Sequence, residues 1–111
     1  MSVRAIRGAT QVEANSPEAI FSGVRELLSE ILKVNHLQAS DVISVLFTAS
    51  PDLNSAFPAA AAREVGFESV PLICAVEIDV PGALDRTIRV MAHVETSLLA
   101  SEIGHIYLHG A

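Results

Sequence analysis

The stretch Ser16-Pro17-Glu18-Ala19-Ile20-Phe21-Ser22-Gly23-Val24-Arg25-Glu26-Leu27-Leu28-Ser29-Glu30-Ile31-Leu32 decides the fold, because it admits one periodic reading. Ile20, Phe21, Val24, Leu27, Leu28, Ile31 and Leu32 form a stripe at helical spacing. Ser16 suits the N-cap, Pro17 suits the first helical position, and Glu18 sits at the positive end of the helix dipole. Asn35 is expected to stop the helix in a left-handed conformation.

The flanking segments alternate or run apolar in the manner of strands. Val3 to Val12 reads as a strand, with Gly8 as a bulge or a point of close approach. Val42 to Thr48 is apolar at nearly every position and rich in β-branched residues, which predicts a buried strand. Ser50 to Asn54 is a loop. Pro58 opens a short helix through four alanines, with Arg63 and Glu64 near its end and Gly66 as its stop. Val70 to Val76 is a strand, and Glu77 to Gly82 is a turn-like link punctuated by Pro81-Gly82. Thr87 to Glu95 and Ile106 to Leu108 complete the set.

The order β-α-β-α-β-β-β implies an α+β fold. It is a single domain over residues 1–111, with a five-stranded mixed sheet, one long helix and one short one. One main helix cannot cover both faces of such a sheet, so the other face needs cover from elsewhere. Composition points the same way. Half of the 111 residues are hydrophobic and mean hydropathy is +0.44, which is high for a small domain that buries a limited fraction of its own surface.

Seven Lys and Arg against 13 Asp and Glu give a net charge of −6, which disfavours nucleic acid or an anionic membrane surface as partner. No apolar run approaches the roughly 20 residues that span a bilayer, and the N-terminus does not read as a signal peptide. A single cysteine, Cys74, excludes an intrachain disulfide. These features lead to the expectation of a cytoplasmic protein.

Arg7 shares strand parity with Val3 and Ala5, Arg89 lies between Ile88 and Val90, and Arg63 ends an alanine-rich helix. An arginine cannot shed its charge, so one held against apolar neighbours needs a carboxylate or an anionic ligand. From spacing alone, ordinary ion pairs with Glu77, Glu64 or Glu95 explain the arginines better than a binding site. Glu77 follows the apolar run Leu72-Ile73-Cys74-Ala75-Val76. In isolation it reads as a solvated carboxylate, Cys74 as an inert thiol and Tyr107 as an amphipathic packing residue. The four histidines and Cys74 lack zinc-ligand spacing, and there is no phosphate loop, nucleophile elbow or dinucleotide fingerprint. The chemistry left to this chain is that of arginines, a carboxylate and small polar groups, with no cofactor expected.

Taken together and in order, R-A-I-R-G-A-T (4–10), P-D-L-N-S-A-F-P-A-A-A-A-R (51–63), V-P-L-I-C-A-V-E (70–77), I-R-V-M (88–91) and H-I-Y-L (105–108) resemble the monofunctional trimeric chorismate mutases of the pseudo-α/β-barrel class. The resemblance covers nearly the whole chain. It implies a cofactor-free homotrimer that rearranges chorismate to prephenate, with a site in each cleft between subunits. It assigns catalytic roles to Arg89, Glu77 and Arg7. Tyr107, Cys74, Phe57, Arg63, Ala59 and Ile73 fall at substrate-binding positions, and no metal is implied.

Departures from the family pattern are also visible. Gly104 stands where the family has an arginine, Ala60 and Ile73 replace residues that are basic or threonine in some relatives, and the family's closing tail is expected to be missing after Ala111. Two other readings share these features: a non-catalytic, dicarboxylate-binding trimer that keeps the cleft, and a small trimeric enamine/imine deaminase.

Overall fold

In the computed structural model, which describes all residues 1–111, the segment Pro17–Val34 forms α1 as its stripe predicts. The Ser16 hydroxyl accepts the Ala19 N–H at 3.1 Å and Pro17 occupies the first turn. Ile20, Val24, Leu27, Leu28 and Ile31 are buried along one side. Around this helix lie β1 (Ser2–Gln11), β2 (Val42–Ala49), α2 (Pro58–Ala62), β3 (Leu72–Val76), β4 (Thr87–Thr96) and β5 (Ile106–Leu108).

The strands form one sheet in the order β3-β2-β4-β1-β5. The central pairs β1–β4 and β2–β4 are antiparallel, and the outer pairs β2–β3 and β1–β5 are parallel. The mixed sheet is therefore as expected. One residue of slippage interrupts the β2–β4 register between Val42 and Ser44, which leaves Ile43 as an exposed bulge.

Alternation along the strands separates two faces. Ile6 on β1, Val45 and Phe47 on β2, and Ile88, Val90, Ala92 and Val94 on β4 are buried against α1 and α2. The opposite face carries no element of the chain. It presents Ala5 and Arg7 on β1, Leu46 and Thr48 on β2, Arg89 and Met91 on β4, and Tyr107 on β5. Only 27 of 111 residues are buried, and Phe57, Ile73, Val76 and Ile78 are more than 60% exposed near the β3 edge. A long apolar edge is a surface that natural sheets cover or pair.

Gly8 turns out to be a close-approach point, since β1 keeps continuous register through it. A Cβ there would meet the Ile106 carbonyl, Ile31 Cδ1 and Leu27 Cδ1, each at 3.1 Å. Gly8→Val is expected to destabilise by about 1–3 kcal/mol, as overpacking does. A chemical-denaturation midpoint equal to wild type would contradict this packing account.

Strand ends shift by one residue in β1, β2 and β4, and two further differences from the sequence reading have a specific cause. β3 begins at Leu72, because the Val70 N–H still closes the preceding turn onto the Phe67 carbonyl at 3.0 Å and Pro71 has no N–H to give. Gly66, at φ 101°, ends the short helical region as expected. Asn35, however, is not left-handed (φ −98°); His36 takes that conformation, at φ 55°. The reason lies in the Asn35 side chain, which is buried and committed elsewhere. Its Nδ2 donates to the Ile31 carbonyl at 2.9 Å and the Gly104 carbonyl at 3.0 Å, and its Oδ1 accepts the Gly104 N–H at 2.8 Å.

Candidate active site

Register across the open face brings the candidate residues into range of one another. Thr48 on β2 and Ala9 on β1 both lie opposite Arg89 of β4, and Ala9 also lies opposite Tyr107 of β5. Glu77 extends the β3 pairing by one residue, its N–H donating to the Ala49 carbonyl at 2.9 Å. That extension swings its carboxylate onto the open face. There Arg89 Nη1 meets Glu77 Oε2 at 3.2 Å, and the Thr48 hydroxyl donates to the same oxygen at 2.7 Å.

Arg7, Thr48, Glu77, Arg89, Met91 and Tyr107 line a concavity of about 140 Å³. A second hollow, of about 450 Å³, lies on the other side of the Glu77–Arg89 pair and is walled by Asp52, Asp79 and Asp85. Electrostatics distinguishes the two. The aspartate-lined hollow repels anions, whereas the Arg7 side offers guanidinium groups and a phenol.

The ion-pair expectation for the arginines divides residue by residue. Arg89 does pair with Glu77, while Glu64 pairs with Arg25 at 3.3 Å and not with Arg63. Neither Arg7 nor Arg63 has a carboxylate within 4.0 Å. Arg89 spends only Nη1 on Glu77, so most of its donors stay available.

The Thr48 hydroxyl is the chief cause holding the Glu77 carboxyl below its ordinary value of 4.5; burial opposes it and the Arg89 charge assists. Because the folded value is depressed, the stability from this carboxylate is present above the ordinary range and lost as pH falls through the lowered one. Thr48→Val removes the donor at nearly constant shape. The Glu77 carboxyl, followed by its carbon NMR shift, is then expected to titrate at higher pH. An unchanged titration would mean that the Thr48 hydroxyl does not hold it down. Thr48 escaped the sequence reading because its role depends on strand register.

The remaining candidates lie elsewhere. Phe57 precedes α2 at 74% exposure, Ala59 is buried within α2, and Arg63 is exposed at its end. Ile73 and Cys74 lie on β3, Ile73 exposed and Cys74 half-buried against the core opposite Phe47. None of these five lines the concavity that holds Arg7 and Arg89. The chain thus carries two separate groups of candidates, one on β1, β4 and β5 with Glu77, the other on α2 and the β3 edge. No three His, Cys, Asp or Glu side chains gather into a metal-holding group, and no helix is long and apolar enough to cross a membrane.

A mixed sheet helical on one side presents guanidinium groups, a phenol and one ionised carboxylate on the other, a set whose chemistry suits the class of proteins that hold small carboxylate-bearing molecules. Comparison with known proteins narrows this class. The family described as chorismate mutase type I matches residues 3–111. The chorismate mutase AroH of Thermus thermophilus is 47% identical over 110 residues, 98% of this chain and 90% of that protein. AroH of Bacillus subtilis is 44% identical over 97% of this chain and 86% of its own length. A solved chorismate mutase from Clostridium thermocellum superposes with a TM-score of 0.95 at 48% identity, covering 97% of this chain and 96% of that one. The chain belongs to the chorismate mutase type I family.

Proposed function

We propose that this chain rearranges chorismate to prephenate in a homotrimer, each active site being shared between neighbouring subunits. The observation that carries this reading is the Arg89–Glu77–Thr48 contact beside Arg7 and Tyr107, on a face the chain leaves uncovered. Family membership over nearly the full length supplies the reaction. The pathway role that follows is phenylalanine and tyrosine biosynthesis.

The reaction is a [3,3] shift in which an ether C–O bond breaks as a C–C bond forms. No proton moves and no covalent intermediate is required. The protein has to hold a flexible dianion in a compact chair and stabilise the charges that separate in the transition state. Arg89 donates to the ether oxygen, where negative charge grows, through donors not engaged by Glu77. Glu77 accepts from the ring hydroxyl and favours the positive charge that develops on the ring. Arg7 and the Tyr107 hydroxyl take the carboxylates, for which a forked guanidinium is suited.

Phe57, Ala59, Arg63, Ile73 and Cys74 would come from the adjacent subunit. Phe57 packs on the ligand, Arg63 adds positive potential at the mouth, and Cys74 is a polar wall, not a nucleophile. In a closed ring of three, a heterologous contact sets one copy's β3 edge against the next copy's open face, and it unites the two groups as an isolated chain does not. Such a ring also covers the exposed apolar edge.

The test is consumption of chorismate followed by its absorbance, with sedimentation run in parallel. Turnover by a trimer is expected. Binding of a transition-state analogue without turnover would support the alternative reading of a non-catalytic dicarboxylate-binding trimer. Absence of both turnover and binding would overturn the proposal.

A further inference from the structure

β5 has only three residues, yet it carries Tyr107, and its parallel ladder with β1 runs only from Gly8–Ile106 to Thr10–Leu108. So short a strand needs fastening if Tyr107 is to keep its place. One side-chain contact lies just downstream, where His109 Nε2 meets Glu26 Oε1 of α1 at 2.8 Å, and two lie just upstream of β5. The buried Asn35 side chain, at the end of α1, grips Gly104 through its N–H and its carbonyl. One residue on, the His105 imidazole accepts the backbone N–H of Arg7 at Nδ1, 3.0 Å away.

The His105 contact joins the two strands that carry the carboxylate-binding groups. Arg7 precedes Gly8 and His105 precedes Ile106, the first pair of the parallel ladder, so the imidazole extends the pairing by one step at the end where the ladder begins. The contact also specifies the ring. A backbone N–H only donates, so Nδ1 must present a lone pair and the proton of the neutral ring sits on Nε2.

We infer that His105 is a positioning residue: as the Nε2–H tautomer it fastens β5 to β1 at Arg7 and so sets the spacing between the Arg7 and Tyr107 side chains. It touches no reacting atom in this arrangement. The inference rests on the reading of Arg7 and Tyr107 as carboxylate ligands. Because those two hold the substrate in ground and transition states alike, loosening them raises KM more than it lowers kcat.

Three variants separate this role from mere packing. His105→Phe keeps the ring's bulk and removes the acceptor, His105→Ala removes both, and His105→Asn places an amide oxygen near the Nδ1 position. Loss of one hydrogen bond of this kind corresponds to a factor of about five to ten. For His105→Phe and His105→Ala, that is the expected fall in kcat/KM, mostly as raised KM, together with faster hydrogen exchange at the Arg7 amide. His105→Asn is expected to restore both.

Nitrogen NMR of the wild-type imidazole is expected to show Nδ1 unprotonated. This readout and the exchange rate need no substrate, so they stand even if the protein does not turn over chorismate. A His105→Phe variant with wild-type KM and Arg7 protection would overturn the inference. So would a His105→Asn variant as impaired as His105→Phe, or a protonated Nδ1 in the neutral ring.

Discussion

Arg89→Ala is expected to lower kcat by about 10²–10³-fold, the loss typical when one preorganised donor to a developing oxyanion is removed. Its register position opposite Thr48 and Ala9 puts the side chain at the middle of the open face. Glu77 holds one of its nitrogens at 3.2 Å and fixes the direction of the guanidinium before substrate arrives. Fixing a donor in advance is what makes it effective, since nothing then reorganises when the C–O bond lengthens. The alanine variant loses that donor and also leaves the Glu77 carboxylate facing a dianion without its nearest counter-charge.

Folding is expected to survive the substitution. Both side chains of the pair are partly exposed, 47% for Arg89 and 32% for Glu77, and such pairs contribute about 0–1 kcal/mol. Arg89→Lys is expected to fail nearly as badly, because a point charge cannot hold Glu77 and the ether oxygen together. Initial rates at saturating chorismate, with sedimentation to confirm assembly, check the prediction. A well-assembled alanine variant that keeps more than about a tenth of the activity would remove Arg89 from the centre of the mechanism.

Much of this arrangement is legible in the sequence, and the limits have physical causes. The α1 stripe and the apolar run of β2 reveal elements because burial imposes their periodicity directly on the chain. Parity alone puts Arg7 with Ala5, and the presence of one long helix predicts that one sheet face is left without cover. Strand order is another matter. That β4 lies between β2 and β1 is settled by pairing among residues tens of positions apart. Thr48 acquires its role only through that pairing, since nothing local marks it as the donor to Glu77. From sequence, Asn35 reads as a backbone stop because asparagine commonly serves as one. Its contact with Gly104 spans 69 residues, and that of His105 with Arg7 spans 98. Family resemblance names the site residues; the geometry divides them into two groups and gives Thr48, Asn35 and His105 roles that no local pattern assigns.

Mixing two impaired variants, each damaged in a different group, is expected to raise activity above that of either alone if each site draws on two chains. One variant is Arg89→Ala, which damages the group on β4. The other combines Phe57→Ala with Arg63→Ala, which damages the group on α2; Phe57 is 74% exposed, so its truncation spares the core. Each homotrimer has the same damage in every site. In a ring built at random from equal amounts of both, a site is intact when one chain supplies an undamaged Arg89 and its neighbour an undamaged Phe57 and Arg63. Each condition holds half the time, so about one quarter of sites recover. Co-refolding the two chains and measuring chorismate consumption per subunit reads this fraction directly. If both groups served a site within one chain, no mixture would contain an intact site and activity would stay at the level of the separate variants. Mixed trimers that assemble but remain inactive would therefore sink the shared-site proposal while leaving the fold and the family membership untouched.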